Sequence, residues 1–294
     1  MNKTLILLTM SHSAGLAQKL KDLGEDVAII TLPDEIKSNN NISGAIKEKN
    51  LRKMGFDKIY IENDVRLKDI SEDLFKFINK NKNIDVFSLS WHWVISSDFL
   101  SRFKSGVVGW HASMFKLPHG FGRSPLNWSI RLGATKVYNN CFGYSSKVDH
   151  GTIYFQDQVS IAKMDHISDL LDKVSAVMLK NIIDIKNIRC KSERLTGLNR
   201  EINTTLGFPK LNSDSGEVII DDKSLDEISC IIRSCSAPFP GAFIKKNNGD
   251  KIMLNKVLSE KQIGCLIISD GNMHLYCTTT ATPKDLIAIT ILSS

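Results

Sequence analysis

Short apolar runs alternate with amphipathic stretches through the first half of the chain. Thr4-Leu5-Ile6-Leu7-Leu8-Thr9 reads as a buried strand, Ala14 to Leu23 places its apolar residues at helical spacing, and Val27 to Leu32 reads as a second strand. This βαβ rhythm predicts a parallel sheet with helices on its faces. Lys58 to Glu62 adds a strand, Leu67 to Asn79 an amphipathic helix, and Ile84 to Ser90 another strand. Gly106-Val107-Val108-Gly109-Trp110-His111 is a strand that ends on a polar residue. Ligands of open α/β sheets bind outside the carboxyl ends of strands, so Ser90 to Trp93 and His111 point at one crevice.

Ile167 to Ile188 has the three-and-four spacing of a long helix, with Asp165 or Ser168 as its cap. Arg189 to Thr205 is polar and reads as a linker. Beyond it the texture changes to short β-runs at 218–220, 242–244, 252–254, 264–268, 273–277 and 286–289, with turn residues between them and one helical segment, Leu225 to Ser234. The expected organisation is an α/β domain over residues 1–205, including the linker from about 189, and a small β-barrel or sandwich over 206–294.

Composition agrees with two domains: 294 residues, 42% hydrophobic and 24% charged, exclude overall disorder. The net charge of +6 announces no dense basic stripe. It is also unevenly placed. Residues 206–294 carry nine Lys or Arg against ten Asp or Glu, so the excess lies in the first part, whereas a barrel gripping RNA phosphates is expected to be basic. The amino-terminal apolar run is too short for a signal-peptide core or a membrane span, so no membrane is expected. The six cysteines show no C-x-x-C spacing, which points to a reduced, cytoplasmic protein without a metal site.

Three polar clusters are candidates for chemistry: Ser90-Trp91-His92-Trp93, Trp110-His111-Ala112-Ser113 and Asp149-His150-Gly151. A histidine and a carboxylate on neighbouring strand ends make a base with its orienting partner, or a donor to a developing oxyanion. By spacing alone, His111 reads rather as a satisfied core or strand-end histidine than as a catalytic group, and Asp149-His150-Gly151 reads equally as a turn. The loop Phe115 to Pro125 holds Lys116, His119 and Arg123 between prolines and glycines; it suits an anionic ligand or is a basic surface loop. Ser11-His12-Ser13-Ala14-Gly15 sets helix amides after the first strand, where a phosphate could bind, but lacks a full G-x-G-x-x-G.

The segment His111-Ala112-Ser113, Leu117-Pro118 and Gly122-Arg123-Ser124-Pro125-Leu126-Asn127-Trp128 resembles the formyltransferase signature N-x-H-x-S-x-L-P-x-x-R-G-x-x-P-x-x-W. Val148-Asp149-His150-Gly151-Thr152-Ile153-Tyr154-Phe155-Gln156 is similar to the family's D-x-G-x-I-x-x-Q, and Arg233-Ser234 with Ala237-Pro238-Phe239-Pro240-Gly241-Ala242 to its R-A-x-x-P-F-P-G-A. The resemblance implies a Rossmann-like domain with a mainly parallel sheet, an OB-like carboxy-terminal barrel, and transfer of a formyl group from 10-formyltetrahydrofolate to a primary amine. It makes His111 and Asp149 the catalytic pair. The position of the family asparagine is Gly109, so either Asn139, Asn140, a backbone amide or a water substitutes or the chain is a weak or altered catalyst, and the loop between His111 and Pro125 is two residues longer than the motif.

The same resemblance places the pterin between Ser90, Trp91, His92, Trp93, Val94 and Ile95 on one side and Val148 and Asp149 on the other. Trp91 and Trp93 wall that pocket or pack beneath it. Ser11, His12, Ser113, Lys116 and Arg123 are the expected contacts of the acceptor. The near-neutral barrel and the Thr9-Met10-Ser11-His12-Ser13 turn, where the tRNA enzymes have G-T-P-x-F, favour a nucleotide-linked 4-amino-4,6-dideoxyhexose of surface-glycan synthesis over tRNA. A methionyl-tRNA formyltransferase and a non-catalytic folate or nucleotide-sugar binding protein are the alternatives. The barrel contacts a second protomer of a homodimer, binds another ligand, or covers apolar surface of the α/β domain.

Overall fold

The computed structural model describes residues 3–42, 44–81, 83–145, 151–191, 193, 195–198, 207–220, 222–246, 248–263, 265–270 and 273–279. In chain order the first part holds β1 (Lys3–Leu7), α1 (Ser11–Asp22), β2 (Val27–Thr31), α2 (Asp34–Asn39), α3 (Glu48–Lys53), β3 (Ile59–Ile61), α4 (Glu72–Lys80), β4 (Ile84–Ser88), α5 (Ser97–Ser101) and β5 (Val107–Ser113). It continues through β6 (Phe121–Gly122), α6 (Pro125–Arg131), β7 (Lys136–Gly143), β8 (Ile153–Ser160) and α7 (Ile167–Cys190). Seven strands form one sheet in the order β3-β2-β1-β4-β5-β7-β8. The first five are parallel, and β7 and β8 add to β5 in antiparallel sense. The fold is therefore a Rossmann-like α/β sheet, mainly parallel but mixed at one end.

The uninterrupted apolar strands follow from helices on both faces. Ile6 and Leu8 enter one core with α1 and α7, while Leu5 and Leu7 enter a second with α4 and α5. Two expected boundaries shift. Helix α1 begins at Ser11 rather than Ala14, which puts His12 in its first turn. Helix α4 begins at Glu72 rather than Leu67, because the Asp64 carboxylate takes the amides of Arg66, Lys68 and Asp69 and Leu67 has φ of 55°. Ser71 Oγ then accepts from Leu74 N and caps the helix.

At the amino-terminal edge of the sheet, Asp85 of β4 is almost fully buried and pairs with Arg189 at 2.8 Å and Lys186 at 3.4 Å, both on α7. Lys186 also meets Glu25 at 2.7 Å and Thr4 Oγ1 at 2.8 Å. The long helix is thus tied across β1 and β4 by charge as well as by its apolar stripe.

The second part contains β9 (Gly207–Phe208), α8 (Leu225–Cys235), β10 (Ala242–Lys245), β11 (Lys251–Leu258), β12 (Leu266–Ser269) and β13 (His274–Thr279). The last four form an antiparallel sheet in the order β10-β11-β13-β12, packed on α8 through Ile228, Ile231, Ile232, Leu254, Leu266 and Cys277. The run at 218–220 is not a strand; Val218 N donates to Phe243 O beside β10. The run expected at 286–289 and the boundary expected at 205 lie outside the described residues. Helix α7 continues to Cys190, into the expected linker, and Leu198 bridges the edge residue Ile153.

This part is docked on α6 and α7. Asn127 Nδ2 donates to Ser234 O at 2.7 Å, Trp128 Nε1 to Pro209 O at 2.8 Å, and Arg233 Nη1 to Asp165 O at 2.9 Å. The buried His166 accepts from Val257 N at Nε2, 3.0 Å away. Asp85→Ala leaves Lys186 and Arg189 without their buried anion and is expected to lower unfolding free energy by about 3–5 kcal/mol, read by urea denaturation; a loss within the error of the extrapolation would show that the network contributes little.

Candidate active site

The strand order reverses between β1 and β4, and the crevice opens above that point. Ser90, just past β4, is the latch: its Oγ accepts from Thr9 N at 3.1 Å and Met10 N at 3.2 Å, and its carbonyl from Thr9 Oγ1 at 2.5 Å. Thr9 Oγ1 also lies 2.9 Å from His92 Nδ1. Residues 90–95 then line the cleft. The N–H groups of Trp93, Val94 and Ile95 have no hydrogen-bond partner among the described residues. Trp91 is a packing residue as well as a wall, because its indole N–H donates to Val65 O at 2.9 Å and it is buried in the α4–α5 core. Trp93 stands edge-on to it and is only half-buried.

His111 lies on β5, half-buried, and lines the same cleft. Its Nε2 is 2.6 Å from Gly120 O. A carbonyl only accepts, so Nε2 carries the proton and Nδ1 is the basic nitrogen. Gly120 has φ of 78°, and a Cβ there would stand 2.1 Å from Ser113 Oγ, so glycine alone lets this loop turn so tightly against β5.

The loop is held by Asn140 of β7, paired opposite His111. Its fully buried amide donates to His111 O at 2.9 Å, Tyr138 O at 3.1 Å and Phe115 O at 3.3 Å, and its Oδ1 accepts from Gln156 Nε2 at 2.9 Å and Leu117 N at 3.1 Å. Asn140 is therefore saturated and supplies no donor to the cleft. Asn139, also considered as a substitute for the missing asparagine, faces α7 and donates to Asn181 Oδ1. The space beside Gly109 is filled by the ring of Tyr144, which also lines the cleft.

Cations gather at the rim. Arg123 is carried there by its N–H to Phe208 O, 2.9 Å, within the short β6–β9 ladder, and Lys210 follows two residues after that ladder. Both are exposed and line a cleft of about 970 Å³, and the described lining contains no Asp or Glu. Burial pushes the His12 pKa down to about 4, partly opposed by Asp172, and its Nδ1 has no partner among the described residues. Desolvation of the inward side of the ring, then the charges of Arg123, His12 and Lys210, hold His92 below the usual histidine value although its outer edge meets solvent. Both imidazoles are neutral near pH 7.

Of the expected acceptor contacts, His12 and Arg123 reach the cleft and three do not. Ser113 is fully buried, with Oγ accepting from Phe115 N at 3.2 Å. Lys116 is exposed outside the cleft, over the Tyr138 ring at 5.2 Å. Ser11 is exposed and donates its N–H to Gly44 O. Val148, Asp149 and His150 lie outside the described residues. Lys210 and Tyr144 were not signalled by sequence: one follows the linker without a motif, and the other belongs to no motif or element read there.

A Rossmann-like sheet with a histidine on a central strand, facing a cationic crevice at its switch point, defines the class. Residues 16–184 match the formyl transferase family, and the chain belongs to it. It is 28% identical over 229 residues to the bifunctional polymyxin resistance protein ArnA of Wigglesworthia glossinidia brevipalpis, covering 74% of this chain and 32% of that protein. It is 29% identical over 160 residues to a methionyl-tRNA formyltransferase of Flavobacterium johnsoniae, covering 53% and 50%. The matched region thus spans half or less of these two relatives. Among solved structures, a methionyl-tRNA formyltransferase from Clostridium thermocellum shares the fold with a TM-score of 0.62 at 18% identity, covering 95% of this chain and 98% of that one. A sugar N-formyltransferase from Shewanella sp. does so at 0.60 and 16%, covering 90% and 99%. HypX from Aquifex aeolicus, in complex with tetrahydrofolic acid, does so at 0.64 and 13%, covering 94% and 43%.

The depressed His12 pKa has a thermodynamic consequence. The unfolded chain binds a proton below about pH 6.5 that the folded chain refuses until about pH 4, so stability falls as pH drops through that window. His12→Gln is expected to make the fall in Tm over this window shallower, with His92 and His166 supplying what remains; equal falls in both proteins would refute the assignment.

Proposed function

We propose that the protein transfers a formyl group from 10-formyltetrahydrofolate to the primary amine of a nucleotide-linked 4-amino-4,6-dideoxyhexose, a cytoplasmic step of surface-glycan synthesis. The observation that carries this reading is His111 in a cleft whose described charged lining is cationic. The donor, when bound, supplies an electrophilic formyl carbon. The amides of Trp93 to Ile95 and His12 Nδ1, which have no partner among the described residues, fit a heteroaromatic ring with its own donors and acceptors, so Ser90 to Ile95, with Val148 and Asp149, would hold the pterin. His111 Nδ1 takes the proton that the acceptor amine loses, and the charge of Asp149 would tune the imidazole by favouring the imidazolium that forms. Arg123 and Lys210 match an acceptor diphosphate.

The domain division belongs to the same reading: a catalytic domain over 1–205 and an OB-like barrel over 206–294, of which the four-stranded sheet on α8 would be the described part. One observation favours methionyl-tRNA as acceptor, namely that several relatives bear that name. Against it stands the second part, with ten acidic and nine basic residues from 206 onward.

Incubation with 10-formyltetrahydrofolate and a panel of amino-sugar nucleotides is expected to yield tetrahydrofolate with at least one acceptor, and His111→Ala to lower kcat by roughly 10²–10⁴-fold. Turnover that survives His111→Ala sinks the catalytic assignment, while folate binding without turnover supports a binding protein. Tight, salt-dependent retardation of initiator tRNA would transfer the assignment to the tRNA acceptor.

A further inference from the structure

Strand β5 presents Gly109 and His111 on one face, two residues and so about 7 Å apart. A Cβ on Gly109 would stand 2.0 Å from Tyr144 Cε1, 2.5 Å from its Cζ and 2.7 Å from its hydroxyl oxygen. The phenol therefore lies directly on the β5 backbone, in the space a side chain at 109 would occupy. Its position is set from three sides. Tyr144 N donates to Val107 O at 2.7 Å, the ring stacks on Phe142 at 5.3 Å, and the hydroxyl meets Ser88 Oγ at 3.1 Å. Ser88 is the register partner of Gly109 across the β4–β5 ladder, so hydroxyl, glycine and histidine share one side of the sheet, and Tyr144 and His111 line one cleft.

We propose that the Tyr144 hydroxyl is the oxyanion donor of this cleft, a catalytic residue that polarises the formyl carbonyl while His111 moves the proton. The proposal rests on the formyl-transfer reading above. The acceptor nitrogen forms the new C–N bond with its lone pair, and the carbonyl π pair moves onto oxygen. That oxygen accepts a hydrogen bond from Tyr144 Oη–H, and the amine proton passes to His111 Nδ1. When the carbonyl re-forms, the old C–N bond breaks and its electron pair takes the proton from His111, so nothing is left over. Tyr144 and His111 face one cleft from the same side of β5, the arrangement that paired donor and base require. Ser88 keeps the hydroxyl chain satisfied: as Tyr144 turns its O–H toward the formyl oxygen, Ser88 Oγ–H donates to the phenol oxygen and strengthens it as a donor. The glycine at 109 is the condition for all of this, because any side chain there would displace the ring.

Tyr144→Phe keeps the ring in its niche and removes only the hydroxyl. Its kcat, measured with the acceptor that the wild-type protein formylates, is expected to fall roughly 10²–10³-fold while both KM values stay within about threefold. A second readout does not depend on turnover. In the isotope-edited vibrational spectrum of bound 5-formyltetrahydrofolate carrying a ¹³C formyl group, the carbonyl stretch is expected at lower frequency in the wild type than in Tyr144→Phe. Gly109→Asn combined with Tyr144→Ala, which puts an amide donor into the vacated space, is expected to recover part of the lost kcat. Circular dichroism melting checks that each variant folds. A folded Tyr144→Phe with wild-type kcat, or with an unshifted carbonyl stretch, overturns the proposal and leaves the formyl-transfer reading standing. A wild-type protein that neither binds the folate nor forms tetrahydrofolate overturns that reading and the proposal together.

Discussion

A carboxamide sealed from water must find partners at both ends, and the fully buried side chain of Asn140 does so by gripping the loop that follows β5. An unmet polar group at that depth costs about 1–3 kcal/mol, so the five contacts of Asn140 leave the loop little choice of path. Phe115 and Leu117 are drawn onto β7, the chain turns back at Gly120, and the Gly120 carbonyl arrives at His111 Nε2. One buried amide thereby sets the loop and, through the Gly120 carbonyl, the tautomer of the histidine. The lengthened stretch between His111 and Pro125 is accommodated without disturbing that contact.

The cleft is a composite whose parts come from distant segments. Thr9 and Ser90 close its floor at the switch point, β5 supplies Gly109 and His111, and residues after β7 supply the phenol that covers the glycine. Chain from beyond α7 then returns to pair with the loop through β9, which brings Lys210 to the rim with Arg123. Cys235 and Phe239 to Gly241 of the second part complete the lining. The docking bonds from Asn127, Trp128, Arg233 and His166 hold that second part in place, so they bear on the site as well as on the assembly of the chain.

Much of this was legible in one dimension. The parallel strands were readable because burial on both faces demands continuous apolar runs, and α8 because its apolar residues recur at helical spacing. The start of α4 was not, because apolar spacing continues back to Leu67 while the Asp64 carboxylate diverts the amides that a helix would need. Strands β7 and β8 escaped notice because Tyr138-Asn139-Asn140 places buried polar residues in a central strand. The Asn139 amide finds its acceptor on α7, and that of Asn140 finds its partners on β5, β8 and the loop, none of which local sequence places there.

By itself the sequence determined the strand rhythm of β1 to β5, the texture change after α7, and the family motif around His111 and Arg123, since each depends on local periodicity or on contiguous motif residues. Tertiary structure alone decided that Ser113 is a structural hydroxyl, that Lys116 points away from the cleft, that Lys210 reaches it, and that Tyr144 occupies the place left by Gly109. Those outcomes depend on which segments meet after folding, and a missing Cβ at one position carries no local sign of the side chain that will fill the space.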